Sequence, residues 1–120
     1  MSKVTMYGIP NCDTVKKAKN WLDTNGIEYE FVNFKKTPPT DDQLTIWLDR
    51  RGADVVVNKR GTTWRKLNEE EQTSISDSNA LKQLLSEQPS LIKRPILDIA
   101  DGNTTTVGFK AEIYEELFVS

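Results

Sequence analysis

The softest nucleophile in this sequence is its single cysteine, Cys12. It sits in Asn11-Cys12-Asp13-Thr14-Val15-Lys16, between a β-rich run ending at Gly8-Ile9-Pro10 and a stretch of helical periodicity. A thiolate at a helix start meets the positive end of the helix dipole and N–H groups with no intrahelical partner. Both lower its pKa below the ordinary ~8.5. Lys16, one turn on, adds positive charge, while the adjacent Asp13 acts against it. A free cysteine is otherwise a small buried apolar residue, so the functional reading rests on position. A lone cysteine also constrains mechanism. No disulfide can form within the chain, so a resolving thiol must come from glutathione or a partner protein.

A second candidate is Arg94-Pro95, just before a β-rich run. A guanidinium there can clamp an oxyanion or carboxylate through its planar fork, or it can simply cover apolar surface. Pro95 either begins a strand, where proline is tolerated, or follows a cis peptide. Arg60 (in Lys59-Arg60-Gly61) and Lys110 are further basic candidates. Other chemistries are excluded. The chain has no histidine, so Ser-His-Asp and Cys-His catalysis and histidine pH switches are absent. One cysteine without histidine leaves nothing for a structural zinc, and no metal site is expected. Glu69-Glu70-Glu71 reads as a solvated helix face. No G-x-G-x-x-G or P-loop occurs. Asn103-Thr104-Thr105 matches a glycosylation acceptor but is read as unused, since the start of the chain carries no signal-like apolar segment.

The elements that must position these residues follow from periodicity. Lys3–Ile9 reads as a strand. Asp13 or Thr14 can cap a helix carrying Val15, Ala18 and Leu22 inward, and Asn25-Gly26 stops it. Ile27–Phe34 reads as a second, well-buried strand, completing a βαβ unit. Thr40-Asp41-Asp42-Gln43 has the capping-box pattern, with Leu44, Trp47 and Leu48 following and Gly52 as a stop. Val55–Val57 is an ambiguous apolar run. Thr62 or Thr63 caps a short helix over Trp64–Leu67. Asp77 or Ser78 caps another with Leu81, Leu84 and Leu85 inward, ending at Pro89. Pro95–Ala100 and Thr104–Phe109 flank Asp101-Gly102-Asn103, a strong hairpin signal. Ala111–Phe118 closes as a helix with Ile113, Leu117 and Phe118 inward. The order βαβ, helices, ββα is that of a thioredoxin-like α/β core with an inserted helical segment at about residues 40–92, expected as one domain over 1–120. In such a core the loop before the third strand lies beside the first helix's N-terminus, which would bring Arg94 toward Cys12.

With 120 residues, 37% apolar and 28% charged, the chain suits one soluble globular domain. No run approaches the ~18 apolar residues of a membrane span, and a cytoplasmic location is expected. Net charge is −2, unevenly spread. Residues 1–66 hold 12 Lys/Arg against 8 Asp/Glu, whereas residues 67–120 hold 4 against 10. That favours a local cationic pocket for a small anion over a nucleic-acid face. No direct nucleic-acid or membrane partner is expected, and the chain is read as a monomer.

Tyr7–Leu22 (Y-G-I-P-N-C-D-T-V-K-K-A-K-N-W-L), Gly26–Lys36, Gly52–Leu67, Arg94–Leu97 and Val107–Lys110 together resemble the arsenate reductase / Spx family, within it the YffB-like subgroup of small reductase-like proteins. The resemblance spans nearly the whole chain in family order and implies the same thioredoxin-like core with a helical insertion. It further implies that Cys12 occupies the position of the cysteine that attacks arsenate. In those reductases three arginines hold the oxyanion, glutathione releases the arsenic adduct and glutaredoxin recycles the enzyme. Arg60 and Arg94 match two of the arginines; at the third this chain has Phe109-Lys110, a point charge without the fork. The family's C-G-T-S-R is here C-D-T-V-K. The resemblance thus implies a monothiol, glutathione-dependent thiol reductase, with arsenate reduction weak or absent. It has no bound cofactor and uses glutathione as co-substrate. Asn11, Asp13, Thr14, Lys16, Arg60, Arg94, Pro95 and Lys110 are its expected substrate- or glutathione-binding residues. The N–H groups of Asp13 and Thr14 are expected to stabilise the thiolate. The same resemblance carries an alternative: Spx regulators bind the RNA polymerase α subunit and sense oxidation through C-x-x-C. Here that motif is Cys12-Asp13-Thr14-Val15, so no such switch can form. Gly52 aligns with the Spx glycine used in polymerase contact and is also a plain helix stop.

Overall fold

Strand β1 (Val4–Gly8) alternates buried and half-buried residues, with Val4 and Met6 turned into the core. Helix α1 (Asp13–Thr24) follows, burying Val15, Ala18 and Leu22. It ends at Asn25, after which Gly26 takes φ +68°, a backbone conformation open to glycine. β2 (Glu30–Asn33) runs parallel to β1. The computed structural model describes residues 3–100 and 104–119. By its contacts the chain divides into two compact units, residues 1–34 with 94–120, and residues 35–93.

In the first unit the sheet order is β2-β1-β3-β4, with β3 (Ile96–Ile99) antiparallel to β1 and β4 (Thr104–Val107) antiparallel to β3. Helix α7 (Ala111–Phe118) closes the chain. This mixed sheet with α1 and α7 is the thioredoxin-like α/β arrangement expected from the element order. Val4, Met6, Val15, Ala18, Leu22, Leu97 and Tyr114 form one core cluster, against which Cys12, Trp21, Phe109 and Phe118 pack. Gly8 is the contact point between strand and helix: a Cβ there would meet Val15 Cγ2 at 2.9 Å.

Three expectations for this unit are corrected. β2 begins only at Glu30 and is an edge strand, with Glu30 exposed and the rest half-buried, not a well-buried one. The Ile27 N–H closes back on the Leu22 carbonyl (2.9 Å), so the residues after Gly26 are spent leaving the helix. In α7 the inward residue is Tyr114, fully buried, while Ile113 is 38% exposed. Tyr114 meets Phe109, Trp21 and Phe118 edge-on with centroids 4.9–6.2 Å apart, and burying that larger ring rotates Ile113 outward. Finally, α1 is capped by Cys12 itself and not by Asp13 or Thr14. The hairpin turn expected at Asp101-Gly102-Asn103, and the acceptor pattern at Asn103, lie outside the described residues.

The second unit is helical. α2 (Asp41–Arg51) starts with the expected capping box: the Gln43 N–H donates to Thr40 Oγ1 (3.1 Å) and the Thr40 N–H to Gln43 Oε1 (2.9 Å). Gly52, at φ +84°, ends it. The ambiguous apolar run becomes a single helical turn, α3 (Ala53–Val56), followed by a bridge from Val57 to Ile92. Next comes α4 (Thr62–Lys66), capped by Gly61 and not by Thr62 or Thr63 as expected, because both threonines lie inside its first turn; α5 (Glu69–Thr73) and α6 (Ser78–Glu87) follow. Glu71 has a structural task, completing a capping box with Asn68. α6 buries Leu81, Leu84 and Leu85 and is tied to α2 by Lys82, whose ammonium reaches Asp41 (3.3 Å) and Thr45 (3.2 Å). Among the described residues no helix is long and apolar enough to cross a membrane.

The charge imbalance along the chain does not survive as two bodies. The first unit holds 6 basic and 9 acidic residues, net −3, and the second 10 and 9, net +1.

Candidate functional site

The site is built where β1 hands the chain to α1. Pro10 fixes one backbone dihedral and suits the second position of a turn. The turn closes when the Cys12 N–H donates to the Ile9 carbonyl (3.2 Å). Cys12 then takes extended dihedrals (φ −87°, ψ 127°), and its carbonyl accepts the first helical bond from the Lys16 N–H (3.0 Å). It is therefore the N-cap, with Asp13, Thr14 and Val15 as the first three helical residues. An N-cap side chain faces the N–H groups of the second and third of these. The thiol makes no conventional cap hydrogen bond, yet the N–H groups of Val15 and Thr14 favour its thiolate over the thiol.

Arg94 arrives from the neighbouring strand. β1 and β3 are antiparallel, with Tyr7 opposite Ile96, so the end of β1 lies beside the start of β3. The residues just before Ile96 are thereby carried to the Cys12 loop. Arg94 is half-buried and Pro95 buried, and their peptide bond is cis. Past the end of β4, the Gly108 N–H donates to the Pro95 carbonyl (2.9 Å), with Gly108 at φ +80°.

The electrostatics of Cys12 reflect opposing causes. Partial burial pushes its thiol pKa up. The N–H groups of Val15 and Thr14 pull it down, as do a hydrogen bond from the Arg94 side chain and the Arg94 charge; together they outweigh burial and leave it below its ordinary value. Val15 is the contributor that reading from the sequence missed. The N–H of Asp13, expected in its place, is not among the causes, because that residue is the first of the helix. The shift of one position follows from Cys12 being the cap.

The other expected residues are placed as follows. Asn11 is exposed in the turn, and Asp13 and Lys16 are exposed on the first turn of α1. Lys110 is exposed as the N-cap of α7, at the end of β4 that pairs with the start of β3. Arg60 is exposed in the helical unit, its N–H donating to Asn58 Oδ1 (3.2 Å). A cavity of about 920 Å³ lies at the other end of the sheet, against Val4, Ile27, Ile99 and Phe118, and none of these candidate residues lines it. Among the described residues no cluster of His, Cys, Asp or Glu is arranged to hold a metal.

Comparison with known proteins agrees with this geometry. An uncharacterised protein of Haemophilus influenzae is 43% identical over 115 residues, covering 96% of this chain and 98% of its own. The global transcriptional regulator Spx of Streptococcus pneumoniae is 30% identical over 112 residues, 91% of this chain and 80% of the regulator. The solved structure of the protein YFFB (PA3664) superposes with a TM-score of 0.88 at 38% identity, covering 95% of this chain and 97% of that one. The ArsC family matches residues 7–117, and with a cysteine-capped first helix on a thioredoxin-like sheet the chain belongs to that family.

Proposed function

We propose that this protein is a monothiol, glutathione-dependent thiol reductase. The observation that supports this best is the convergence of Arg94 and two backbone N–H groups on the N-capping thiol of Cys12. In the proposed reaction the Cys12 thiolate attacks the glutathionyl sulfur of a mixed disulfide. The disulfide breaks, the substrate leaves as a thiolate that takes up a proton, and Cys12 carries the glutathionyl group. A second glutathione, as thiolate, attacks that group, releasing glutathione disulfide and restoring the Cys12 thiolate. One mixed disulfide and one glutathione thiol thus become one substrate thiol and one glutathione disulfide. Arg94 anchors a glutathione carboxylate through its fork and favours the thiolate by charge. Lys110 is a candidate second anchor, and Arg60's part rests on the family resemblance. Glutaredoxin as recycling partner is the family's arrangement carried over.

The test is intact-protein mass spectrometry after exposure to oxidised glutathione. One glutathionyl group should be gained by the parent and none by Cys12→Ser. A parent that gains none would sink the reading. The kinship with Spx supports a second reading, a regulator without turnover that binds the RNA polymerase α subunit. It requires binding to that subunit that survives Cys12→Ser, with no glutathione adduct.

A further inference from the structure

We infer that Gly108 is a positioning residue for the candidate site, clamping the Pro95 carbonyl so that the Arg94 side chain is held against Cys12. The inference rests on the thiol-reductase reading of Arg94 given above. β3 and β4 pair up to Ile96 opposite Val107, and there the regular ladder stops. Arg94 lies two residues beyond that last pair, outside the sheet. One further bond extends the ladder: the Gly108 N–H to the Pro95 carbonyl, 2.9 Å. Gly108 is buried and at φ +80°, where a Cβ is strained. Its backbone does two things at once. It points its N–H at Pro95, and it turns the chain off the strand line into Phe109, which packs on the same core cluster as Cys12, and into Lys110, the cap of α7. A residue confined to negative φ must give up one of the two. If the bond to Pro95 is lost, the backbone that carries Arg94 is released from β4, and the guanidinium loses its fixed place beside the sulfur.

The test is a double-mutant cycle read by the pH dependence of Cys12 alkylation. Gly108→Ala should move the midpoint upward and slow alkylation at pH 7 by roughly threefold, as expected for a thiolate losing a nearby cation. In an Arg94→Ala background the same substitution should have no further effect. A merely structural glycine would lower the melting temperature without moving the thiol's titration. A midpoint unchanged in Gly108→Ala overturns the inference, as does a shift that persists undiminished without Arg94. If Arg94→Ala alone leaves the midpoint in place, the reading of Arg94 fails instead. Amide hydrogen exchange on the parent judges the clamp separately, even if Gly108→Ala does not fold. The Gly108 N–H should exchange at least about tenfold more slowly than an unprotected amide, and exchange at the unprotected rate removes the clamp.

Discussion

At Cys12 the backbone and the side chain serve the same end. The residue that caps α1 is also the one with a titratable sulfur, so the helix's unsatisfied N–H groups act on the thiol directly. The linkage has a definite sign. A thiol whose folded pKa lies below its unfolded value of ~8.5 adds no stability while both states are protonated. As pH rises through the folded pKa the folded state deprotonates first and gains stability, and the gain is complete above the unfolded value. Thermal unfolding of the parent should therefore improve relative to Cys12→Ser across that window and lose the advantage as pH falls; parallel curves would contradict the lowered pKa. Arg94 supplies a graded series. Arg94→Lys keeps charge and loses the fork, so most thiol reactivity should remain while glutathione binds more weakly. Arg94→Ala should lose both. A charge-assisted bidentate contact is worth on the order of 1.5–3 kcal/mol, or roughly ten- to a hundredfold in affinity. Equal binding and reactivity in all three proteins would make Arg94 a surface residue.

The element that positions Cys12 is α1, and its seat on β1 depends on Gly8. A methyl group added there would come within 2.9 Å of the buried Val15 Cγ2, and Val15 is the residue whose N–H helps hold the sulfur. Gly8→Ala should cost about 1–3 kcal/mol by overpacking in chemical denaturation and should raise the Cys12 titration midpoint as the first turn lifts. A stability equal to the parent's would show that helix and strand can part freely. Much at this scale was legible beforehand. Capping residues and stops carry their own chemistry, so Thr40-Gln43, Asp77 and Gly52 mark helix ends correctly. What periodicity missed was decided by tertiary packing. Ile27–Tyr29 has strand-like residues, yet the chain spends them leaving α1. The Ile113/Tyr114 choice turns on an aromatic cluster assembled from α1, α7 and the segment after β4. Within the site, Cys12 and Arg94 were readable because loop and strand order bring them together. The Val15 contribution needed the cap to be located to the residue.

At the scale of the whole molecule, the proposed function turns on which anion the candidate site would take. The unit that carries Cys12 has net charge −3, so any attraction for an anion is local, not the field of a cationic body. Arsenate is compact and highly charged, and a reductase that turns it over must gather several forks around one oxyanion. Here Arg94 offers one fork beside the thiol, and Lys110, an exposed cap on α7, offers a single ammonium. A glutathione disulfide asks less, since its carboxylates are far apart and its sulfur is neutral. We expect turnover of a glutathione mixed disulfide to exceed arsenate reduction by roughly ten- to a hundredfold, the equivalent of one missing bidentate charged contact. Lys110→Arg should raise the arsenate rate and leave the disulfide rate nearly unchanged, because only the compact oxyanion needs a further fork. Because Lys110 is solvent-exposed, the gain should stay below about tenfold. The measurement is paired initial rates with glutathione and glutaredoxin for parent and variant. Arsenate turnover by the parent on a par with the disulfide would mean that an ammonium suffices where the fork was thought necessary.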